Sequence, residues 1–451
     1  MAKKSNPPRV PASPRESEKE DGQSGLVPKL RFPEFRGDWV CTTFDDLYSF
    51  RRNNALSRDK LNYDAGSVKN VHYGDIHTKF QAHFDITKEL VPYINEAESV
   101  PSDQSDDYCV EGDLIFADAS EDTNDVGKCV EIAKLHGQRL VSGLHTILAR
   151  RNDNRITVGF GGHLFQSGQL RSQIQREAQG TKVYAISATR LRNVRVTHPS
   201  SPYEQQKIAS CLSTLDELIG AQGRKVAALR THKKGLMQQL FPREGETQPR
   251  LRFPEFKKEG TWKRRKIGEM LMETQRPIAL SDTTEYRLVT VKRRYGGLVL
   301  REILNGRQIL VKSQFMVSTG DFLISKRQIV HNACGLVTQE LDGAVVSNEY
   351  SVLSPKPECS IEFFSWFSMQ PVVSKSFMDC SVGIVIEKML FKLPAWLKQE
   401  FLFPSFLEQQ RIASCLSSLD EFITAETQRL EALKTHKRGL MQQLFPSPEA
   451  T

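Results

Sequence analysis

Two stretches of the chain carry apolar residues at alternating three- and four-residue steps over many turns. In the first, Ile208, Leu215, Gln222, Leu229 and Leu236 form one row, and Leu212, Ile219, Val226, Lys233 and Leu240 the other. In the second, the rows are Ile412, Leu419, Glu426, Leu433 and Leu440, and Leu416, Ile423, Leu430, Lys437 and Leu444. That spacing holds the apolar side chains on one face and predicts two long coiled-coil helices. Pro199, Pro202 and Pro404 punctuate their starts, and Pro242 and Pro446 their ends, because proline lacks the amide and clashes with the preceding turn. Elsewhere short apolar runs, such as Tyr286 to Val291 and Phe322 to Ile324, read as strands that end in polar turns.

The two helical patterns are near copies. EQQKIASCLSTLDELIGAQGRKVAALRTHKKGLMQQLFP from Glu204 returns as EQQRIASCLSSLDEFITAETQRLEALKTHKRGLMQQLFP from Glu408, with 27 of 39 positions identical. PKLRFPEF from Pro28 returns as PRLRFPEF from Pro249, each followed by a tryptophan, Trp39 or Trp262. Weaker marks keep the same order. Tyr73-Gly74 matches Tyr295-Gly296, and Gly112-Asp113-Leu114 matches Gly320-Asp321-Phe322. Val141-Ser142 with His145 matches Val346-Ser347 with Tyr350. A repeat of this kind points to one supersecondary plan used twice. The expected fold is mixed α/β: two α/β domains joined by two long antiparallel coiled-coil helices, with a pseudo-two-fold internal repeat. The expected segments are a disordered arm (1–27), a first domain (28–202), a central helix (203–242), a linker (243–249), a second domain (250–405), a C-terminal helix (406–446) and a tail (447–451). Helices packing only on their own domains is the alternative to mutual pairing. The long matched seam favours pairing, which would make the pair a stiff spacer between two unlike heads.

Composition narrows the class. At 451 residues the chain is too long for a single core. Mean hydropathy is −0.43, and no run approaches the roughly 18 to 20 apolar residues of a membrane helix. The opening MAKKSNPPRV has no apolar segment behind it, so no secretory signal is read and the cytoplasm is the expected location. Eight cysteines lie scattered without a C-x-x-C pair, which indicates neither a zinc site nor a disulfide framework. Lys and Arg number 62 against 54 Asp and Glu, a net charge of +8 that biases the chain moderately towards polyanions.

Candidate chemistry of the chain's own is thin. Asn6-Pro7-Pro8 lacks the aromatic residue an adenine-methyltransferase motif needs to stack a flipped base. Gly127-Lys128 has Asp122 and Cys129 where a phosphate-binding loop needs glycine and a hydroxyl. Gly159-Phe160-Gly161-Gly162 reads as a turn. The acidic run of Glu121, Asp122 and Asp125 near Asp113 reads as a solvated loop, since the second half has Lys326, Arg327 and His331 in its place. No catalytic residue and no metal ligand is therefore expected.

Residues able to read base edges and hold phosphates are better supplied. In the second domain these are Lys292, Arg293, Arg294, Ser325, Lys326, Arg327 and Asn348. In the first they are Lys69, His72, Ser142, His145, Lys182 and Arg190. Two readings remain open at this stage: sequence-specific DNA recognition, or a coiled-coil scaffold tethering two ligand-binding domains.

The LRFPEF…W lead-in, the EQQ-x-I-A-x-x-L-x-x-L-D-E start of each helix and its GLMQQLFP end resemble the specificity subunit of type I restriction–modification enzymes. SGLHT at Ser142–Thr146, GDFLISKRQIV at Gly320–Val330 and SNEY at Ser347–Tyr350 are similar to marks of its two target-recognition domains. The resemblance implies a non-catalytic subunit in which each variable domain reads one half of a bipartite, asymmetric double-stranded DNA target. It further implies that the paired helices set the gap and dock two methyltransferase subunits, with restriction and translocase subunits joining in the full complex. No cofactor is implied for this chain; S-adenosylmethionine, ATP and magnesium are implied for the partners. The arm before Pro28 departs from the family pattern.

Overall fold

The computed structural model describes residues 27–102 and 105–446. The expected arm, apart from Val27, lies outside them, as do Asn6-Pro7-Pro8 and the expected tail. Among the described residues no helix is long and apolar enough to cross a membrane. The chain forms two compact units: one up to Ala221 together with Leu430 onward, the other Gln222–Arg429.

The first unit is built on a five-stranded sheet in the order Tyr48–Arg51, Thr146–Arg151, Leu114–Ala117, Cys129–Lys134, His83–Asp85. Its pairs are antiparallel except the last, which is parallel. Leu114–Ala117 is buried at every position, as a central strand covered on both faces should be. A four-stranded sheet, Leu140–Ser142, Lys69–Val71, Tyr93–Ile94 and Leu61–Asn62, lies in the same unit. Its main core gathers Trp39, Phe44, Phe116, Phe160, Phe165 and Ile174, with Ile208 and Leu212 from the central helix and Leu444 and Phe445 from the end of the other copy.

The second unit repeats the plan on different sequence. Its four-stranded antiparallel sheet runs Leu271–Glu273, Tyr350–Pro355, Phe322–Ser325, Cys334–Leu336. Its five-stranded sheet runs Pro277–Ile278, Gln314–Met316, Val345–Ser347, Glu285–Val291, Leu298–Asn305. The core gathers Trp262, Phe322, Phe363, Phe364, Phe377 and Trp396 with Ile412 and Leu416, and again with Leu240 and Phe241 from the end of the other helix.

The helices run Pro202–Gln239 and Phe406–Leu444. The first stops before Pro242, and Leu240 and Phe241 turn into the core rather than continuing the helix. None of the heptad positions is exposed. Pairing and packing on a domain are not alternatives here, because the ends of both seams enter domain cores alongside each other. The polar seam residues show how pairing is specified. Gln222 donates to the Glu426 carboxylate at 2.5 Å and to its carbonyl at 2.9 Å, while Lys225 reaches the other carboxylate oxygen at 2.7 Å. In the second unit Lys233 pairs with Asp420; in the first Lys437 pairs with Asp216 at 2.5 Å. These are the same two copied positions used reciprocally. The partners run in opposite chain directions, so the helices are antiparallel.

The copied lead-in has a matching explanation. Arg31 donates to both carboxylate oxygens of Glu204 at 2.7 Å, and Arg252 does the same to Glu408 at 2.8 Å. The leucine before each arginine, Leu30 or Leu251, donates its N–H at 2.9 Å to Gln443 or Gln239, a late carbonyl of the other copy's helix. Gln205 accepts from the Thr157 N–H and donates to Arg155 and Pro199 carbonyls; Gln409 does the same with Ser360, Glu358 and Pro404. LRFPEF, EQQ and QQLFP thus meet at one junction in each unit, satisfying helix-end groups that would otherwise be buried without partners.

Candidate nucleic-acid interface

In the second unit the predicted cations converge. The turn Lys292–Gly297 is laid against the segment after Phe322–Ser325 by the Arg294 N–H to His331 carbonyl bond, 2.7 Å, and the Tyr295 N–H to Asn332 carbonyl bond, 3.0 Å. Arg294 and Tyr295 take left-handed φ values of 58° and 54° in succession, conformations that side-chain-bearing residues adopt only when held. Arg293 donates to Gln328 at 2.8 Å and to Glu387 at 3.0 Å; His331 Nε2 lies 3.1 Å from the same carboxylate. Arg327 pairs with Glu349 at 2.7 Å, and Lys326 Nζ donates to the Asn348 carbonyl at 2.8 Å. Four segments therefore share one rim: 292–297, 325–332, 347–350 and 383–391. Burial pushes the Tyr295 phenol up to about 12, and its hydroxyl donates to the Ser368 carbonyl. The Tyr-Gly mark is thus a buttress beneath the cations.

Ser325 requires correction. It is the last residue of a wholly buried strand and is itself buried. Gln328, Glu349 and Glu387, absent from the predicted set, tie the rim together. Their signal in the sequence was only polar residues beside cations, which ordinary surface also shows.

The first unit builds the corresponding rim from other chemistry. His72 caps the helix Tyr73–Thr78, its Nδ1 accepting from the Gly74 N–H at 3.2 Å, and it is buried; burial lowers its pKa. It is thus a capping residue, not an exposed reader. Tyr73 stacks edge-on to His145, centroids 5.3 Å apart. His145 Nδ1 lies 3.3 Å from Asp118, and His77 Nε2 is 3.1 Å from the Ala119 carbonyl. Lys182 is exposed on the loop leading into Tyr184–Ala185, which pairs with Ala119–Ser120 and so borders the same rim. Lys69 lies on a neighbouring strand with its ammonium 5.2 Å from the Tyr93 ring centre. Of the remaining candidates, one falls away. Ser142 is fully buried, its hydroxyl 2.6 Å from that of Thr146. Arg190 lies on the helix Ala188–Arg192 and donates to the Glu177 carbonyl and carboxylate, at 3.1 and 3.2 Å, a part-exposed pair like those of Arg293 and Arg327.

Register shows how the rims correspond. Ala117 faces Thr146 in the first unit, and Ser325 faces Tyr350 in the second. Thr146, not His145, therefore matches Tyr350, a one-residue correction. The first unit has one more residue in the intervening loop, which bends through His145 at φ 56°, and His145 itself matches Glu349, each accepting at its carbonyl from the N–H of Asp118 or Lys326. The consequence is chemical: where the first rim has Asp118 and His145, the second has Lys326 and Glu349. The Gly-Asp mark itself is structural. Asp113 and Asp321 are buried, each capping its own turn and each bound by an arginine, Arg150 or Arg276.

The glycine cluster read as a turn holds a buried carboxylate. Gly159 and Gly162 each donate their N–H to Glu131 at 2.7 Å, and burial, the dominant influence, pushes that carboxyl up to about 7 from its ordinary 4.5. A raised carboxyl adds stability that is complete below 4.5 and is lost as pH rises through about 7. Calorimetric unfolding of the first unit is expected at lower temperature at about pH 8.5 than at about pH 6, and Glu131→Gln should flatten that dependence.

Comparison with known proteins gives the following. Residues 259–435 match a family model described as the type I restriction modification DNA specificity domain. A Methanocaldococcus jannaschii protein described as the MjaX type I restriction enzyme specificity subunit is 26% identical over 221 residues, 47% of this chain and 48% of the relative, so the match spans about half of that relative's length. The type I restriction enzyme MjaVIII specificity subunit of the same organism is 22% identical over 298 residues, 63% of this chain and 69% of the relative. The crystal structure of a type I restriction–modification system S subunit from M. genitalium is similar in fold, with a TM-score of 0.56 at 13% identity, covering 93% of this chain and 99% of that one.

Proposed function

We propose that this chain, which belongs to the family of type I restriction–modification specificity subunits, is the DNA-reading member of such a complex, each unit recognising one half of a bipartite, asymmetric target. The observation that carries the reading is the contrast within the repeat. The junction keeps the same contacts and the seam the same positions in both copies, whereas the rims change chemistry at matched positions, Asp118 and His145 against Lys326 and Glu349. A surface selected only to hold the fold would have no reason to diverge while its supports stay the same. Divergence is expected where each rim meets a different pattern of base-edge donors and acceptors.

In this reading the paired helices set the gap between half-sites and dock two methyltransferase subunits. Restriction and translocase subunits complete the assembly in the cytoplasm. The chain is non-catalytic and binds no cofactor; S-adenosylmethionine, ATP and magnesium serve the partners. The test is a gel shift of the chain with its methyltransferase partner on random-sequence duplex, followed by sequencing of the bound fraction. A pool enriched in two unlike half-sites at fixed separation is expected. A flat pool would instead support a scaffold that tethers ligands without reading sequence.

A further inference from the structure

Beside the cationic rim of the second unit lies a loop whose composition is unlike its surroundings. Val382, Ile384, Val385 and Ile386 are 63%, 104%, 53% and 51% exposed, four apolar residues in succession around Gly383. Isolated exposed apolar residues are ordinary, but a contiguous run of β-branched ones at a loop tip is not. Nor is the loop loose. Ser381–Val382 pairs with Leu390–Phe391, the Phe391 N–H donates to the Lys326 carbonyl at 2.9 Å, and Glu387 is fastened to Arg293. The fold therefore spends a hairpin and an ion pair to hold bare hydrocarbon next to Arg293, Lys326 and Arg327. A tip flanked by such cations faces a polyanion. Within the major groove of duplex DNA, the apolar group on a base edge is the C5 methyl of thymine.

We propose that Ile384 and Val385 are specificity-determining residues that recognise thymine methyl groups in the major groove of the second unit's half-site. This rests on the DNA-reading function above. The groove is wide enough for a two-stranded ribbon, and β-branched side chains present a stiff apolar surface with few rotamers to lose. In the first unit the corresponding loop carries Thr181, Lys182 and Val183, a more polar tip. The methyl preference is therefore confined to one half-site.

The experiment uses the full chain with its methyltransferase partner. The duplex selected from the random pool is resynthesised with each thymine replaced singly by deoxyuridine, which removes only the methyl. Wild type is expected to lose about four-fold in affinity for each contacted methyl, the loss appearing in one half-site only. The variant I384S/V385S should bind thymine and uracil duplexes alike, with an unchanged unfolding temperature because both side chains are exposed. The proposal is overturned if wild type is indifferent to every replacement. It is equally overturned if the variant keeps the wild-type discrimination, or loses affinity on all sequences alike, which would place the loop against the backbone or the minor groove. In each of those cases a bipartite pool leaves the DNA-reading function standing; a flat pool overturns both.

Discussion

Replacing Glu408 by alanine is expected to destabilise the second unit by about 3–5 kcal/mol, the cost of leaving one member of a buried ion pair without its partner. The Glu408 side chain is 1% exposed and that of Arg252 8%. Arg252 meets both carboxylate oxygens side-on through Nε and Nη2 and donates from Nη1 to the carbonyls of Glu259 and Gly260 at 3.0 Å. With the Glu408 carboxylate gone, the guanidinium keeps its two carbonyls and only the more distant Glu259 carboxylate, 3.9 Å away and itself half-exposed, as counter-charge. The double variant Arg252→Met, Glu408→Leu removes both charges and should recover most of the loss, since apolar pairs of similar volume often match a buried ion pair. Denaturant unfolding followed by tryptophan fluorescence is a suitable readout, because Trp262, Trp366 and Trp396 belong to this unit and Trp39 alone to the other. A single variant as stable as wild type would mean that the junction is not where helix and domain are joined.

That junction also shows how far the sequence could be read. The helices were legible because a seam of five heptads is a long signal, and their pairing because the signal occurs twice. Why LRFPEF and EQQ are copied was not legible, since an arginine and a glutamate 173 residues apart declare no contact until the chain closes. The lysines that interrupt the seam in both copies are the partners of Asp216 and Asp420, a pairing that the sequence does not name. At the rims, clusters contiguous in sequence were recognised, as with Lys292 to Arg294. Misassignment came where inward and outward residues differ by one step of a strand. Ser142 and Ser325 end buried strands and are themselves buried, Ser142 with its hydroxyl against that of Thr146, and composition cannot distinguish such a residue from one held out to a ligand. The matching of His145 with Tyr350 failed for a related reason: one added residue in a loop that bends through left-handed φ leaves the strand register intact but shifts the count.

Neutralising the second rim, with Arg293→Gln, Arg294→Gln, Lys326→Gln and Arg327→Gln together, is expected to weaken DNA binding by about 10²–10³ at moderate salt. Each cation that neutralises a phosphate contributes about 0.9 to the slope of log affinity against log salt, so four free cations would remove about 3.6. The rim does not offer four equally free cations. Arg293 and Arg327 are already paired with Glu387 and Glu349, and Lys326 is held by the Asn348 carbonyl, whereas Arg294 has no carboxylate partner among the described residues. A cation that exchanges a carboxylate for a phosphate releases fewer net counterions, so the expected reduction in slope is nearer two than four. Loss should also be uneven across the target. Sequencing of the pool bound by the variant should show the first unit's half-site retained and the second degenerate, because the rim of Asp118, His145 and Lys182 is untouched. Salt titrations on the selected duplex measure the slope, and the sequenced pool measures the asymmetry. An unchanged slope with both half-sites intact would move the second unit's contact with DNA away from these four side chains. Equal degeneracy in both half-sites would mean that the two rims do not read independently.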